Sequence, residues 1–242
     1  MIGSADEARR GFEEVIRLSP GYAPAHYSLG LILEGDGRDA DARDHYAAAI
    51  KHQPSYVQAR MRLAGVLRRT GRADEALAEY QEAVRTDPRL DEAPLEMAIT
   101  LVRLQRYDEA RDRLASGMDA FPQQPGFALA LARLLAAAPD DRVRDGRRAV
   151  ALTEKLLKTN QSLEVGETMA MALAETGQYG EAARIQRELV TAARDAGRSD
   201  LLGPLQENLR LYENRKASRT PWRDQDVGDA RVVAQDLRDA TR

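Results

Sequence analysis

Apolar residues in this chain recur in rows spaced 34 positions apart. Leu29, Leu63, Met97 and Leu131 form one row, and Leu33, Leu67, Leu101 and Leu135 a second. Ala8, Ala42, Ala76 and Ala110 make a row of small residues. Phe12, Tyr46, Tyr80 and Leu114 follow four positions on, and Pro20, Pro54, Pro88 and Pro122 close each period. Spacing of i, i+4 inside a period lays an apolar stripe on one face of a helix. The stretch from Val57 to Pro88 shows the unit: two short amphipathic helices, broken at Thr70-Gly71 and closed at Asp87-Pro88. One such hairpin cannot bury its own apolar face, so the pattern predicts a stack of hairpins rather than a single globular core.

The small and special residues fit that geometry. Gly30, Ala64, Ala98 and Ala132 fall where the first helix of a hairpin (helix A) meets the second (helix B). Ala42, Ala76 and Ala110 fall where helix B crosses helix A. A large side chain at such a crossing overpacks it. Gly3, Gly37 and Gly71 stand at the turn, where a positive φ ends helix A, and Gln105 is the exception.

Leu29-Gly30-x2-Leu33, then Ala42-x3-Tyr46-x2-Ala49, then Pro54 resemble the signature of the tetratricopeptide repeat family. The resemblance covers residues 1 to about 195. It departs from the family at the helix-A tryptophan, where His26, Arg60, Pro94 and Ala128 stand. The fold it implies is an all-α, right-handed α-solenoid of helix–turn–helix repeats with a C-terminal capping helix. The function it implies is a non-catalytic scaffold that binds a peptide or protein segment in a concave groove. Residues 125–223 further resemble the end of such arrays in larger bacterial proteins. That second resemblance implies the alternative role, a regulatory or substrate-presenting segment of a larger multidomain enzyme.

The expected organisation follows the register. Residues 1–22 are a partial repeat with helix B only, and 23–124 are three complete repeats. Residues 125–196 are two irregular repeats with a lengthened turn at 139–146, where Asp145 is placed to cap the next helix. The alanine row resumes at Ala149, 39 residues after Ala110, and then at Ala182, 33 residues later. A capping helix is expected over 197–220 on the stripe Leu201, Leu202, Leu205, Leu209 and Tyr212. A tail over 221–242 is expected to be loosely ordered, with Val232, Val233 and Leu237 able to support a short helix. No helix A precedes the first helix B, so Ala8, Phe12, Val15 and Ile16 are expected to form an exposed interface. Through it the chain would self-associate or join the rest of a longer protein, and the reading of the chain as a fragment is preferred.

Composition removes several classes of chemistry. The formal net charge of −3 gives no global field toward nucleic acid or an anionic membrane. With no cysteine there are no disulfides, thiolate metal sites or thiol nucleophiles. No apolar run approaches the ~20 residues that span a bilayer, and MIGSADEARR lacks the apolar core of a signal peptide. The compartment is undetermined, with a soluble cytoplasmic protein preferred.

The remaining candidate chemistry is thin. Gly35-Asp36-Gly37 lies in an inter-helix turn without the strand of a phosphate loop. His26, His45 and His52 are the three histidines; His45 and His52 share a helix without a third ligand and read as surface histidines. Arg210, Arg215, Lys216, Arg219 and Arg223 read as the solvated end of the last helix rather than a nucleic-acid patch. Asn160-Gln161-Ser162 matches a glycosylation sequon by coincidence. No catalytic residue, metal or cofactor is expected.

The site expected from the resemblance is the groove lined by helix A. By register it includes Tyr27, Leu31, Met61, Arg62, Gly65, Arg68, Arg69, Leu95, Ile99, Arg103, Leu129 and Arg133. Apolar residues alternate with arginines, and acids look few. Such a lining suits a segment with acidic and apolar side chains, because arginine offers carboxylates a two-pronged bond. The clamp by which chaperone-binding members hold a C-terminal carboxylate is not expected. Its positions carry Tyr27, Leu31, Arg62, Glu92 and Glu96, of which only Arg62 is basic.

Overall fold

The computed structural model of the chain describes residues 2–222, with side chains from Asp6 onward. Twelve helices and no strand occur among the described residues. Of the expected tail over 221–242, residues 223–242, with the short helix expected around Val232, Val233 and Leu237, lie outside them. The chain divides after Gln105 into two compact units.

The first unit holds α1 (Ile2–Leu18), α2 (Ala23–Gly35), α3 (Asp39–His52), α4 (Val57–Arg69), α5 (Ala73–Thr86) and α6 (Glu92–Arg103). Here α2, α4 and α6 take the helix-A register, and α1, α3 and α5 the helix-B register. Consecutive helices pack on one another through the unit. The alanines of the crossings, Ala42 and Ala76, are fully buried, as are Tyr46 and Tyr80. Tyr46 explains its glycine partner: a Cβ on Gly30 would lie 2.6 Å from the ring.

The turns close alike. Gly37 and Gly71 have φ of 75° and 83°, and the next N–H reaches back across the turn, Arg38 to the Leu33 carbonyl and Arg72 to that of Leu67, each at 2.8 Å. These 6→1 bonds satisfy carbonyls left over at the helix end. Gln105 takes the same left-handed conformation at φ 58° without being glycine. Gly3, by contrast, lies inside α1 and not at a turn.

The second unit holds α7 (Tyr107–Ala120), α8 (Pro125–Ala137), α9 (Gly146–Leu157), α10 (Leu163–Glu175), α11 (Tyr179–Asp195) and α12 (Ser199–Glu213). Its A helices are α8, α10 and α12. The alanine row survives the insertion, since Ala110, Ala149 and Ala182 are all fully buried. The lengthened turn between α8 and α9 packs Val143 inward, and the Asp145 side chain accepts the Arg148 N–H at 2.9 Å, capping α9. Tyr212 of α12 is buried with Met169, Ala170, Leu173 and Ala182.

The last helix stops at Glu213, seven residues short of the expected end at 220. Arg215 turns left-handed at φ 55°, and the Lys216 N–H bonds the Leu211 carbonyl at 2.8 Å. That is the same closure that ends the A helices, here formed at a non-glycine residue. Pro221 then disfavours helix at the residue before it. Residues 216–220 are neither helix nor strand.

Candidate protein-binding faces

In the first unit the helix-A register brings three half-buried apolar side chains into one row: Tyr27 on α2, Met61 on α4 and Leu95 on α6. Leu31, half-buried, lies one turn along α2 from Tyr27. Tyr27 is held by tilted ring contacts with Tyr46 and Tyr56, at centroid distances of 5.9 and 5.0 Å. Ile99 is buried rather than available at the surface.

The arginines of this face meet carboxylates that the sequence reading passed over. Glu34 of α2 accepts the Tyr46 hydroxyl at 2.6 Å and stands 3.9 Å from Arg62 of α4. Arg69 bonds Asp39 at 2.6 Å and reaches Glu34 at 3.4 Å. The Asp39 bond holds the Arg69 guanidinium above its usual range. One repeat on, Arg68 of α4 stands 2.9 Å from Glu96 of α6, and only 4% of Arg68 is exposed. Burial pushes the Glu96 carboxyl up, and the Arg68 charge works against that shift. The impression that acids are few is therefore corrected, and Arg68 is a buried ion-pair partner rather than a surface reader of ligand carboxylates. Among the described residues Arg103 forms no ion pair.

The missed signal was present in the register. Glu34 and Arg68 are 34 residues apart, as are Arg62 and Glu96. Both ion pairs thus use the same two register positions of adjacent A helices, with the signs exchanged between one pair and the next.

The same unit collects the three histidines. His26 is buried, its Nδ1 is 3.1 Å from His45 Nδ1, and its Nε2 is 3.0 Å from the Pro20 carbonyl. His52 stacks on His26 at 6.0 Å. His52 is exposed as expected and His45 is half-buried, while His26 is buried, because helix A delivers it at the place of the family's tryptophan. Among the described residues no group of three potential ligands is set to hold a metal ion. The His26 Nε2–H donates to the Pro20 carbonyl, so its Nδ1 accepts and His45 Nδ1–H donates. Burial first, and the neighbouring His26 second, push His45 below its ordinary range, while Asp41, Asp44 and Glu13 pull the other way. A folded value below the unfolded one adds stability above the unfolded pKa of ~6.5 and loses it as pH falls through the folded value. Thermal melts should show stability falling on acidification from pH 7, and His45→Gln should flatten the part of the fall below ~6.5. Superimposable pH profiles for the two proteins would remove the histidine pair as the cause.

At the first helix, Ala8 and Val15 are exposed while Phe12 and Ile16 are half-buried, and α1 packs on α2. The four residues expected to form one exposed interface thus split into an inner and an outer pair. Leu18 and Tyr22 extend the outer surface, with 66% and 53% of their area exposed.

In the second unit the two remaining groove residues are covered. Leu129 of α8 packs against Leu156 and Val165. Arg133 of α8 is 8% exposed and donates to Glu167 of α10 at 2.8 Å, and Glu167 also accepts from Asn208 of α12 at 3.1 Å. Arg133 Nε donates to the Pro221 main-chain carbonyl. Neither Glu167, Asn208 nor the chain returning at Pro221 could be placed from periodicity, since Arg133 and Pro221 are 88 residues apart.

Comparison with known proteins agrees with the fold. Profiles described as tetratricopeptide repeat match residues 2–51, 36–91 and 67–134, so more than half of the chain is matched. The chain belongs to the tetratricopeptide repeat family, an all-α helical-repeat class whose members serve generally as protein–protein interaction scaffolds. No curated protein sequence matches it. Among solved structures it resembles a tetratricopeptide repeat protein of Parabacteroides merdae, at 18% identity and a TM-score of 0.63, over 85% of this chain and 75% of that one. It also resembles PilW, a type IV pilus biogenesis factor, at 17% identity and a TM-score of 0.65, over 84% of this chain and 96% of PilW. YrrB, described as having an unusual peptide-binding site, aligns at 13% identity and a TM-score of 0.60, over 84% of this chain and 96% of YrrB. No helix among the described residues is long and apolar enough to cross a membrane.

Proposed function

We propose that this protein is a non-catalytic scaffold and that the face of α2, α4 and α6 binds a segment of another protein. The observation that carries the reading is the row Tyr27, Met61 and Leu95, three apolar side chains left half-buried at one register position on successive A helices. Core positions of the same helices, such as Leu29, Leu63 and Met97, are closed, whereas this row stays partly accessible on all three helices. Its spacing suits an extended or helical segment that presents apolar side chains at regular intervals.

Charge sets the second feature of the partner. Arg68 and Arg69 are engaged by Glu96 and Asp39, which leaves Arg103 and the long Arg62–Glu34 contact as the places where a carboxylate of the partner gains most. The partner is therefore an apolar segment with an acidic side chain at its flank, with affinity from the apolar contacts and orientation from the arginines.

The test is affinity capture from the source cell with wild type and with Met61→Glu/Leu95→Glu. Both positions are half-exposed, so the double variant should keep the fold, which circular dichroism checks. Loss of the specific partners, by about ten-fold or more in recovered amount, is the expected result for a face of this kind. An identical partner set with the fold intact would rule the face out.

A further inference from the structure

The segment that follows α12 is partly buried without belonging to any helix or strand. Ser218 is 3% exposed, Pro221 is buried and Trp222 is half-buried. Ala217 packs on the cluster around Met169, Leu173 and Tyr212. Arg219 Nη1 bonds Glu175, at the end of α10, at 2.6 Å. Arg133 of α8 grips the Pro221 carbonyl and is itself fixed by Glu167, which Asn208 of α12 also bonds. All three A helices of the second unit therefore contribute to one seat, and the seat holds a stretch of main chain outside any helix or strand.

We infer that the α8–α10–α12 face is a receptor for an extended peptide, occupied in this chain by its own Lys216–Trp222 segment as a displaceable ligand. Two features of the contact point to displacement rather than a permanent strap. The seat reads a main-chain carbonyl and small side chains, which another segment of similar composition can supply equally well. The charged contact is a single pair, and the Arg219 side chain is 44% exposed, so solvent screens it. The occupant in trans would carry two small residues, then arginine, then proline and an aromatic residue, the order of Ala217-Ser218-Arg219-Thr220-Pro221-Trp222. The inference is independent of the α2–α4–α6 reading, and its variants share no residue with that test.

Trp222 is the chain's only tryptophan, so its emission reports whether the segment is seated. The probe is a synthetic copy of residues 216–222 carrying Trp222→Phe, titrated into the wild-type chain. A tethered segment competes at an effective concentration on the order of millimolar, so a red shift with its midpoint in that range is expected. Arg219→Glu sets a carboxylate against Glu175 and should lower the midpoint by about ten-fold. A scrambled peptide should do nothing. If emission stays unchanged in both proteins to about 10 mM peptide, or the scrambled peptide shifts it equally, the segment is a fixed strap and the inference fails. Should Arg219→Glu fold poorly, the wild-type titration decides alone.

Discussion

Ala76→Arg is expected to lower the stability of the first unit by about 3 kcal/mol or more. Ala76 lies on α5 with no exposed surface, in the row whose other members Ala42, Ala110, Ala149 and Ala182 are equally closed. At such a crossing the helices approach to a distance set by a methyl group. An arginine there must push the backbones apart or bury its guanidinium without a partner, and either outcome is costly. In a unit of this size a loss of that order lowers the melting temperature by about 10 °C or more. Ala76→Ser, nearly isosteric, should cost far less, which separates bulk from the mere change of residue. A far-UV circular dichroism melt of both variants is the measurement. A melt of Ala76→Arg that overlays wild type would mean that the helices are not in the register described.

The parts of the fold that repeat were legible in the sequence, and the parts that close it were not. Leu29, Leu63, Tyr46, Tyr80 and the alanine row announce themselves because each repeat must bury the same face against the same neighbour. Even the insertion between α8 and α9 could be bridged, since Ala149 and Ala182 resume the row. Gln105 could be placed at a turn only by its 34-residue step from Gly71, and Arg215 gives no such notice, because a left-handed residue other than glycine has no compositional mark. The end of α12 at Glu213 and the return of the chain to Arg133 are single events with no second copy to compare.

The face of the first unit was legible in its apolar half only. Tyr27, Met61 and Leu95 follow from the register alone. The arginines beside them were read singly, whereas their state is decided by the opposite helix. Arg68 is neutralised because Glu96 stands 28 residues on, and Arg62 is approached by Glu34, 28 residues back. A search for opposite charges at that offset, in addition to the 34-residue step, finds both pairs. The offset is the distance from the last turn of one A helix to the second turn of the next.

The polar junction of the second unit sets the other large expected effect. Glu167→Ala should destabilise this unit by about 3 kcal/mol. The Glu167 carboxylate accepts from Arg133 on α8 and Asn208 on α12, so one side chain of α10 joins three helices. All three residues are at most 8% exposed. Removing the carboxylate leaves the Arg133 guanidinium buried beside an amide and a carbonyl, with its counter-charge gone. Breaking a buried pair from one side is more damaging than replacing both members, because the stranded charge keeps its desolvation cost. Arg133→Met/Glu167→Leu should therefore recover much of the loss, while Glu167→Gln should fall between Glu167→Ala and wild type. Chemical denaturation read through Trp222, which lies in this unit, gives the midpoints directly. Equal midpoints for wild type and Glu167→Ala would show that the junction adds nothing to stability, and a double variant no more stable than Glu167→Ala would show that the loss is not that of a stranded charge.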